Sequence, residues 1–350
     1  MKPEIKEHIK KVYNLNQNPN STDWKSFFNL AVHDNDRKRV EQEFTGNGPL
    51  ESLLQNPAVN EILVNDFDKI FFEVNGRIHN HEDHFYSLHS YLNYVERLCE
   101  AFGRPLNRER PFLEFQLGNA RYSLVFGELA TGIPILSIRK KSTFLGSFQR
   151  LHEQGWCDSE SAKLICALMK EKKNILLVGP TSSGKTTCLQ ALLSLVESDE
   201  RCILIEDTKE LTPPNAVSIS LLAREFSFGT IQAVTLEDLI KRAMRLRPDR
   251  LIIGEVRGSE AYSLLLALST GHKGSLSSLH ASSAKQALLR LEMLVQLGAP
   301  DWEIRSIRRL MTLSLDCLLV VEQTPQGRKL KELCEIKSLE ESGIILERIL

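Results

Sequence analysis

Between residues 174 and 191 the chain reads NILLV, then GPTSSGKTT, then CLQA. A short apolar run, a glycine-bearing turn and a helical pattern in immediate succession leave few folds open. A strand that is apolar on both faces belongs inside a parallel sheet covered on both sides. The same alternation recurs on either side of it. ESAKLICALMKEKK reads as a helix and RCILIE as a strand. TLEDLIKRAMRLRPD reads as a helix, RLIIGE as a strand, SEAYSLLLALST as a helix and GSLSSLH as a strand. Buried strands separated by helices predict an α/β layer architecture.

The turn itself carries chemistry. Gly179, Gly184, Lys185 and Thr186 fit G-x-x-x-x-G-K-[ST], with Pro180, Thr181, Ser182 and Ser183 between the glycines and Thr187 after them. Glycines let backbone N–H groups turn inward around a phosphate, and the following helix N-terminus adds positive potential. In this pattern the lysine reaches the β- and γ-phosphates and the Thr186 hydroxyl ligates Mg²⁺. The expected ligands are therefore ATP and Mg²⁺.

Hydrolysis needs more than binding: a group to orient water, and charge to offset the transferring phosphoryl group. LIIGEVRG delivers Glu255 to the C-terminal end of an apolar strand, where open α/β sheets place their ligands. A carboxylate there polarises water or supports the metal shell. LIEDTKEL puts Glu206, Asp207 and Glu210 at a second strand end, a cluster suited to metal and water positioning. In TGHKGSLSSLHA, His272 follows a helix and His280 ends a strand; no further ligands at zinc spacing accompany them. At a strand end facing a γ-phosphate, a histidine can report phosphate occupancy through a hydrogen bond. The helix before Glu255 has a Thr235/Asp238 capping pair and an apolar stripe of Leu236, Leu239, Ile240, Ala243 and Met244, and Pro248 ends it. Arg242, Arg245, Arg247 and Arg250 crowd its end, either as a solvated face complementing the helix dipole or as an intersubunit surface.

The N-terminal half has a different texture. Residues 1–45 are polar and charged, with Ile5, Ile9 and Val12 at helical spacing, and read as a helical or flexible leader before Gly46, Gly48 and Pro49. From Pro49 a mixed α+β unit extends to Lys141. Asn75-Gly76 marks a hairpin, and Leu92, Val95, Cys99 and Phe102 mark a helix. ARYSLVFGELA and IPILSIRKK read as strands. Residues 142–158 read as a linker before an ATP-binding domain over 159–350. A net charge of −1 counts against charge-driven nucleic-acid binding, and no apolar run reaches bilayer length. The charged N-terminus does not read as a secretory signal, and seven scattered cysteines read as reduced thiols of a cytoplasmic protein.

In order, GPTSSGKTT, IEDTKEL, RLRPDRLIIGEVRG and TGHKGSLSSLHA resemble the Walker A loop, Asp box, Walker B and His box of the bacterial type II/type IV secretion and type IV pilus ATPase superfamily. Within it, the stretch from Ala233 to Glu292, with GNGPLESLLQNPAVNEILVN, looks most like CpaF-like motors of tight-adherence (Tad/Flp) pili. The resemblance covers about residues 44–325. It implies a RecA-like P-loop ATPase domain behind a PAS-like N-terminal domain, assembled as a homohexamer. It further implies that Arg121 and Arg139 reach the phosphates from the N-terminal domain, with Arg224 a further candidate; read alone, each is also a surface charge. Catalytic roles then fall to Glu255, Glu210, Glu206, Arg121, Arg139 and His280. Nucleotide binding falls to the loop residues 179–187, Arg224 and His272, and metal contact to Thr186, Glu255 and Asp207. The family's partners are inner-membrane pilus platform proteins, which implies a peripheral place at the cytoplasmic face of the membrane and no direct nucleic acid. Three departures stand out: no tetracysteine insert, a short leader, and Ser182-Ser183 where Gly-Ser is commoner. The expected activity is an ATP-driven motor for a Tad-type pilus, working through a hinge at residues 140–150. Its rivals are a type IV secretion traffic ATPase, a RecA-like nucleic-acid motor and a nucleotide-binding switch.

Overall fold

The computed structural model describes residues 34–349 apart from positions 75, 131, 141–145, 182, 225–231, 326 and 342. Most of the leader, the loop residue Ser182, the hairpin residue Asn75 and the centre of the expected hinge thus lie outside the described residues. The chain divides into two compact units, residues 1–143 and 144–350.

The first unit begins with helix α1 (Asp34–Thr45) and a short α2 (Glu51–Gln55). Strands β1 (Glu61–Asp66), β2 (Lys69–Val74) and β3 (Arg77–Asn80) precede helix α3 (Leu88–Phe102), and β4 (Phe112–Leu117), β5 (Ala120–Val125) and β6 (Ile135–Lys140) follow it. The six strands form one antiparallel sheet in the order β3-β2-β1-β6-β5-β4. Helix α3 starts where Ser87 accepts the Ser90 N–H and stops at left-handed Gly103. Its buried face, Tyr91, Tyr94, Val95 and Leu98, packs in one cluster with Ile62, Val64, Ile70, Leu124 and Ile138 of the sheet. The end of the leader is fixed to this unit. Buried Glu43 of α1 accepts from the Tyr86 N–H, Ser90 Oγ and Arg39, and Arg39 also bridges to Asp83 at 2.6 Å.

The second unit opens with α4 (Phe148–Glu153) and α5 (Ser159–Lys170). Phe148, Leu151 and Trp156, from the stretch read as a linker, are buried in this unit's core beside Leu189 and Leu193. There follow β7 (Ile175–Val178), α6 (Lys185–Leu193), β8 (Cys202–Glu206), β9 (Ile219–Leu222), α7 (Leu236–Ala243), β10 (Arg250–Ile253), α8 (Glu260–Ser269) and β11 (Leu276–Leu279). Beyond the motif region come α9 (Ala284–Gly298), α10 (Ile304–Ser314), β12 (Cys317–Thr324), β13 (Gly327–Glu340) and β14 (Gly343–Arg348). The eight-stranded sheet runs β14-β13-β12-β7-β11-β10-β8-β9. Strands β12 to β9 in that order are parallel, while β13 and β14 add an antiparallel edge. Strands β7, β8, β10 and β11 are buried throughout, as a sheet with two covered faces requires.

Arg250 departs from both readings of the arginine cluster. It is 2% exposed at the start of β10, pairs with Glu200 at 2.6 Å and donates to the Gly274 and Met169 carbonyls. It ties strand starts together at the sheet's lower edge.

Candidate active site

The parallel strands bring the predicted motifs to one edge, their C-terminal ends. Strand β7 ends at Val178 and hands the chain to the loop. Gly179 has to be glycine because a Cβ there would stand 2.7 Å from the Val321 carbonyl oxygen of neighbouring β12. Ser183 is buried and donates its N–H to the Pro180 carbonyl; Pro180 and Thr181 are exposed. Gly184, with φ +90°, starts α6, and Lys185, Thr186 and Thr187 form the first turn of that helix.

Strand β11 inserts between β7 and β10, and that insertion assembles the site. Lys185 Nζ donates to the carbonyls of Gly179 (2.9 Å) and Pro180 (3.0 Å) and to His280 Nδ1 at 3.1 Å. His280, one residue past β11, meets Glu255 Oε1 through Nε2 at 3.0 Å. Glu255 Oε2 accepts from Arg257 at 2.8 Å, and Arg257 in turn donates to Asp207 Oδ2 at 2.9 Å. A continuous chain, Lys185–His280–Glu255–Arg257–Asp207, therefore spans the ends of four strands. A neutral imidazole with its proton on Nε2 satisfies both of its contacts.

The electrostatics agree with that tautomer. Burial and the neighbouring Lys185 ammonium push the His280 pKa down, against the opposing pull of Glu255. Burial works against the charged form of Glu255, but the hydrogen bond and charge of Arg257, with His280 and Lys185, outweigh it and hold the carboxyl below its ordinary range. Arg257 is raised, chiefly by its hydrogen bond to Glu255.

The other candidates are placed differently. Glu206 ends β8 but is 2% exposed, and its Oε1 accepts the N–H groups of Glu210 and Leu211, both at 2.9 Å. It shapes the turn that carries Glu210, which is itself exposed. His272 precedes β11, at the opposite edge of the sheet, and its Nδ1 meets the Ala267 carbonyl of α8 at 3.2 Å. A four-residue strand separates it from His280, about 13 Å at strand rise. The structure does not bring His272 to the phosphate loop of the same chain. Arg224 follows the edge strand β9, exposed, with Nε donating to the Gln232 carbonyl. That strand is four positions from β7, about 19 Å at the usual strand spacing. In the first unit, Arg121 and Arg139 face each other across β5 and β6, with Glu114 paired to Arg121 at 2.6 Å and Glu61 opposite Arg139. Arg257, the bridge between two strand ends, was not singled out from sequence, although the GEVRG stretch contains it.

The donor set fits MgATP as substrate. A left-handed glycine at a helix N-terminus and a buried lysine suit phosphates. Among the described residues no group of three or more His, Cys, Asp or Glu is placed to hold a metal by itself. At nucleotide sites Mg²⁺ arrives on the phosphates, and Thr186, next to Lys185 in the first turn of α6, is the hydroxyl that the loop pattern offers it.

Comparison with known proteins bears on this arrangement. Residues 113–336 match the family model described as type II/IV secretion system protein. A Mycobacterium tuberculosis protein assigned by name to conjugal transfer is 31% identical over 310 residues, covering 87% of each chain. The conjugal transfer protein TrbB of Rhizobium radiobacter is 30% identical over 250 residues, covering 69% of this chain and 73% of its own. Among solved structures, the pilus retraction motor PilT with bound ADP aligns at TM-score 0.56 and 18% identity, over 83% of this chain and 78% of PilT. The Legionella pneumophila ATPase DotB aligns at TM-score 0.58 and 17% identity, over 86% and 82%. These two show a shared fold.

Proposed function

Because the chain belongs to the type II/IV secretion system protein family, we propose that it is an ATPase that turns MgATP hydrolysis into movement of its first unit. The carrying observation is the contact chain from Lys185 through His280 to Glu255, which joins a phosphate-binding loop to a carboxylate. In this reading Lys185 and the loop N–H groups hold the phosphates, and Thr186 supplies a hydroxyl to Mg²⁺. Glu255 orients water and accepts its proton. Arg257 and His280 fix Glu255 in place, and His280 senses the phosphate end through Lys185. Asp207 anchors Arg257.

The second unit reads as a RecA-like domain, supported by the strand order β12-β7-β11-β10-β8 with the loop on β7 and the carboxylate on β10. The first unit reads as PAS-like, supported by its antiparallel sheet with α3 packed against it. We take residues 46–141 as the N-terminal domain and, because Phe148, Leu151 and Trp156 are buried in the second unit's core, start the motor domain at α4, which narrows the expected linker and hinge to the positions before 148. Arg121 and Arg139, side by side on neighbouring strands, are our candidates for phosphate contacts from the first unit, Arg121 on release from Glu114, and Arg224 and His272 stay as further nucleotide-binding candidates. The finer role we assign is assembly or retraction of a Tad-type pilus through membrane platform proteins, at the cytoplasmic face of the membrane. Among the described residues no helix is long and apolar enough to cross a membrane. The second reading is a secretion or conjugation traffic ATPase, favoured by the names of the relatives.

Phosphate release from MgATP by the full chain tests the activity. We expect steady turnover by the wild type and none by Lys185→Ala, which also loses nucleotide affinity. Equal turnover by both would sink the proposal. Stimulation by single-stranded DNA would move the reading to a nucleic-acid motor.

A further inference from the structure

The β12–β13 hairpin flanks the phosphate loop at both of its glycines. Val321 of β12 lies against Gly179, and Arg328, the second residue of β13, lies against Gly184. A Cβ built on Gly184 would stand 2.6 Å from Arg328 Cδ and 3.3 Å from its Nε. The space a side chain would take at Gly184 is filled by the Arg328 stem, which lies against the residue that opens α6. The guanidinium beyond that stem therefore starts beside the helix N-terminus, where phosphates are bound. The ladder fixes its origin: Arg328 pairs with Gln323 across β12–β13, and β12 pairs with β7 itself, so the hairpin is rigidly tied to the strand that carries the loop.

We propose that Arg328 is a nucleotide-binding residue whose guanidinium donates to the phosphate oxygens beside Lys185. The proposal rests on the ATPase reading above. The two cations do different work. Lys185 is a compact charge held at the base of the cradle by two carbonyls and His280. Arg328 brings a planar fork that is always charged and can grip two oxygens at once. It comes from the far side of β7, opposite the strands that carry Glu255 and Asp207. The nucleotide is then held from both flanks of the loop, with binding on the β12–β13 side and hydrolysis on the β10–β11 side. Arg328 accordingly binds substrate and product alike, and its loss raises KM while kcat holds.

The test titrates the full chain with fluorescent MANT-ADP and displaces it with unlabelled ADP and with tripolyphosphate. A charge-assisted hydrogen bond predicts that Arg328→Ala weakens MANT-ADP and tripolyphosphate alike by about ten- to a hundredfold. Arg328→Lys should fall between, keeping the charge without the fork. The melting temperature without nucleotide should stay at the wild-type value, while the rise on adding ADP shrinks. Should the alanine variant fail to fold, Arg328→Gln and Arg328→Lys carry the same comparison. MANT-ADP affinity within twofold of wild type would overturn the proposal. So would a loss for MANT-ADP with tripolyphosphate unaffected, which marks a base contact instead. Wild-type protein that binds no MANT-ADP would strike the ATPase reading; wild-type binding that ignores position 328 would strike this proposal alone.

Discussion

Strands β8 and β10 are parallel neighbours, with Ile205 level with Ile253, and each delivers a glutamate to the same edge of the sheet. Their fates differ. Glu206 turns into the protein, 2% exposed, and spends Oε1 on two backbone N–H groups of its own turn. Glu255, two residues beyond Ile253, meets side chains only, His280 on one oxygen and Arg257 on the other. A carboxylate at a strand end is thus a location and not yet a role. What its oxygens face decides between shaping a loop and doing chemistry. Gly254 links the two: a Cβ there would stand 2.9 Å from Glu206 Cγ. The glycine before Glu255 is needed because the other glutamate packs across it.

Glutamine separates the two roles sharply. Glu255→Gln keeps the shape but cannot accept a proton. It should cut ATP turnover by about a hundred- to ten-thousandfold while nucleotide affinity stays within a few fold, as read by phosphate release and MANT-ADP titration. Wild-type turnover in that variant would end the catalytic assignment. At position 206 the amide still offers its oxygen to the loop, so Glu206→Gln should keep its urea midpoint. Glu206→Ala strands the buried Leu211 N–H and releases that of Glu210, and should lose about 1–3 kcal/mol in urea unfolding. A Glu206→Gln variant as inactive as Glu255→Gln would restore Glu206 to the catalytic set. Next in size, Gly254→Ala should cost about 1–3 kcal/mol by overpacking, and less in a Glu206→Ala background, because the atoms it strikes are gone.

The smallest effect concerns pH. The folded pKa of His280 lies below its unfolded value of about 6.5. Between those two values the unfolded chain binds more protons than the folded one, so stability rises with pH through that window and falls on acidification below about 6.5. Glu255, also depressed, adds loss of stability at lower pH, below the ordinary carboxylate range. Urea midpoints at successive pH values should show the upper part of this slope, and His280→Gln should flatten it.

Much of this was legible in the sequence. The strand–loop–helix around Gly179 and Lys185, the helix capped by Thr235 and Asp238, and the strand ending before Glu255 follow from local pattern, and the capping box is present with both of its hydrogen bonds. The hairpin strands β2 and β3 likewise pair as their turn predicts. What stayed hidden depends on strand order. His272 and His280 look equivalent in TGHKGSLSSLHA until β11 is seen to run between them and send them to opposite edges of the sheet. Glu206 looks like Glu255 until its side chain is seen turned back on its own loop. Arg250 looks like its exposed neighbours until the strand buries it against Glu200. Arg121 and Arg139 stand eighteen positions apart in the chain (139 − 121) and become neighbours only through β5–β6 register. Strand β4 and the elements after His280 carry no motif and were not anticipated.

Strand β11 lies between β7 and β10 although it follows both in the chain. During synthesis, the loop, the helix behind it and Glu255 all leave the ribosome before the strand that joins them. A nascent chain ending short of residue 276 holds every piece of the phosphate loop but lacks the strand that carries His280. Closure of the Lys185–His280–Glu255 chain then belongs to the late, long-range phase of folding. The onset of ATPase activity would then mark the insertion of β11 between β7 and β10.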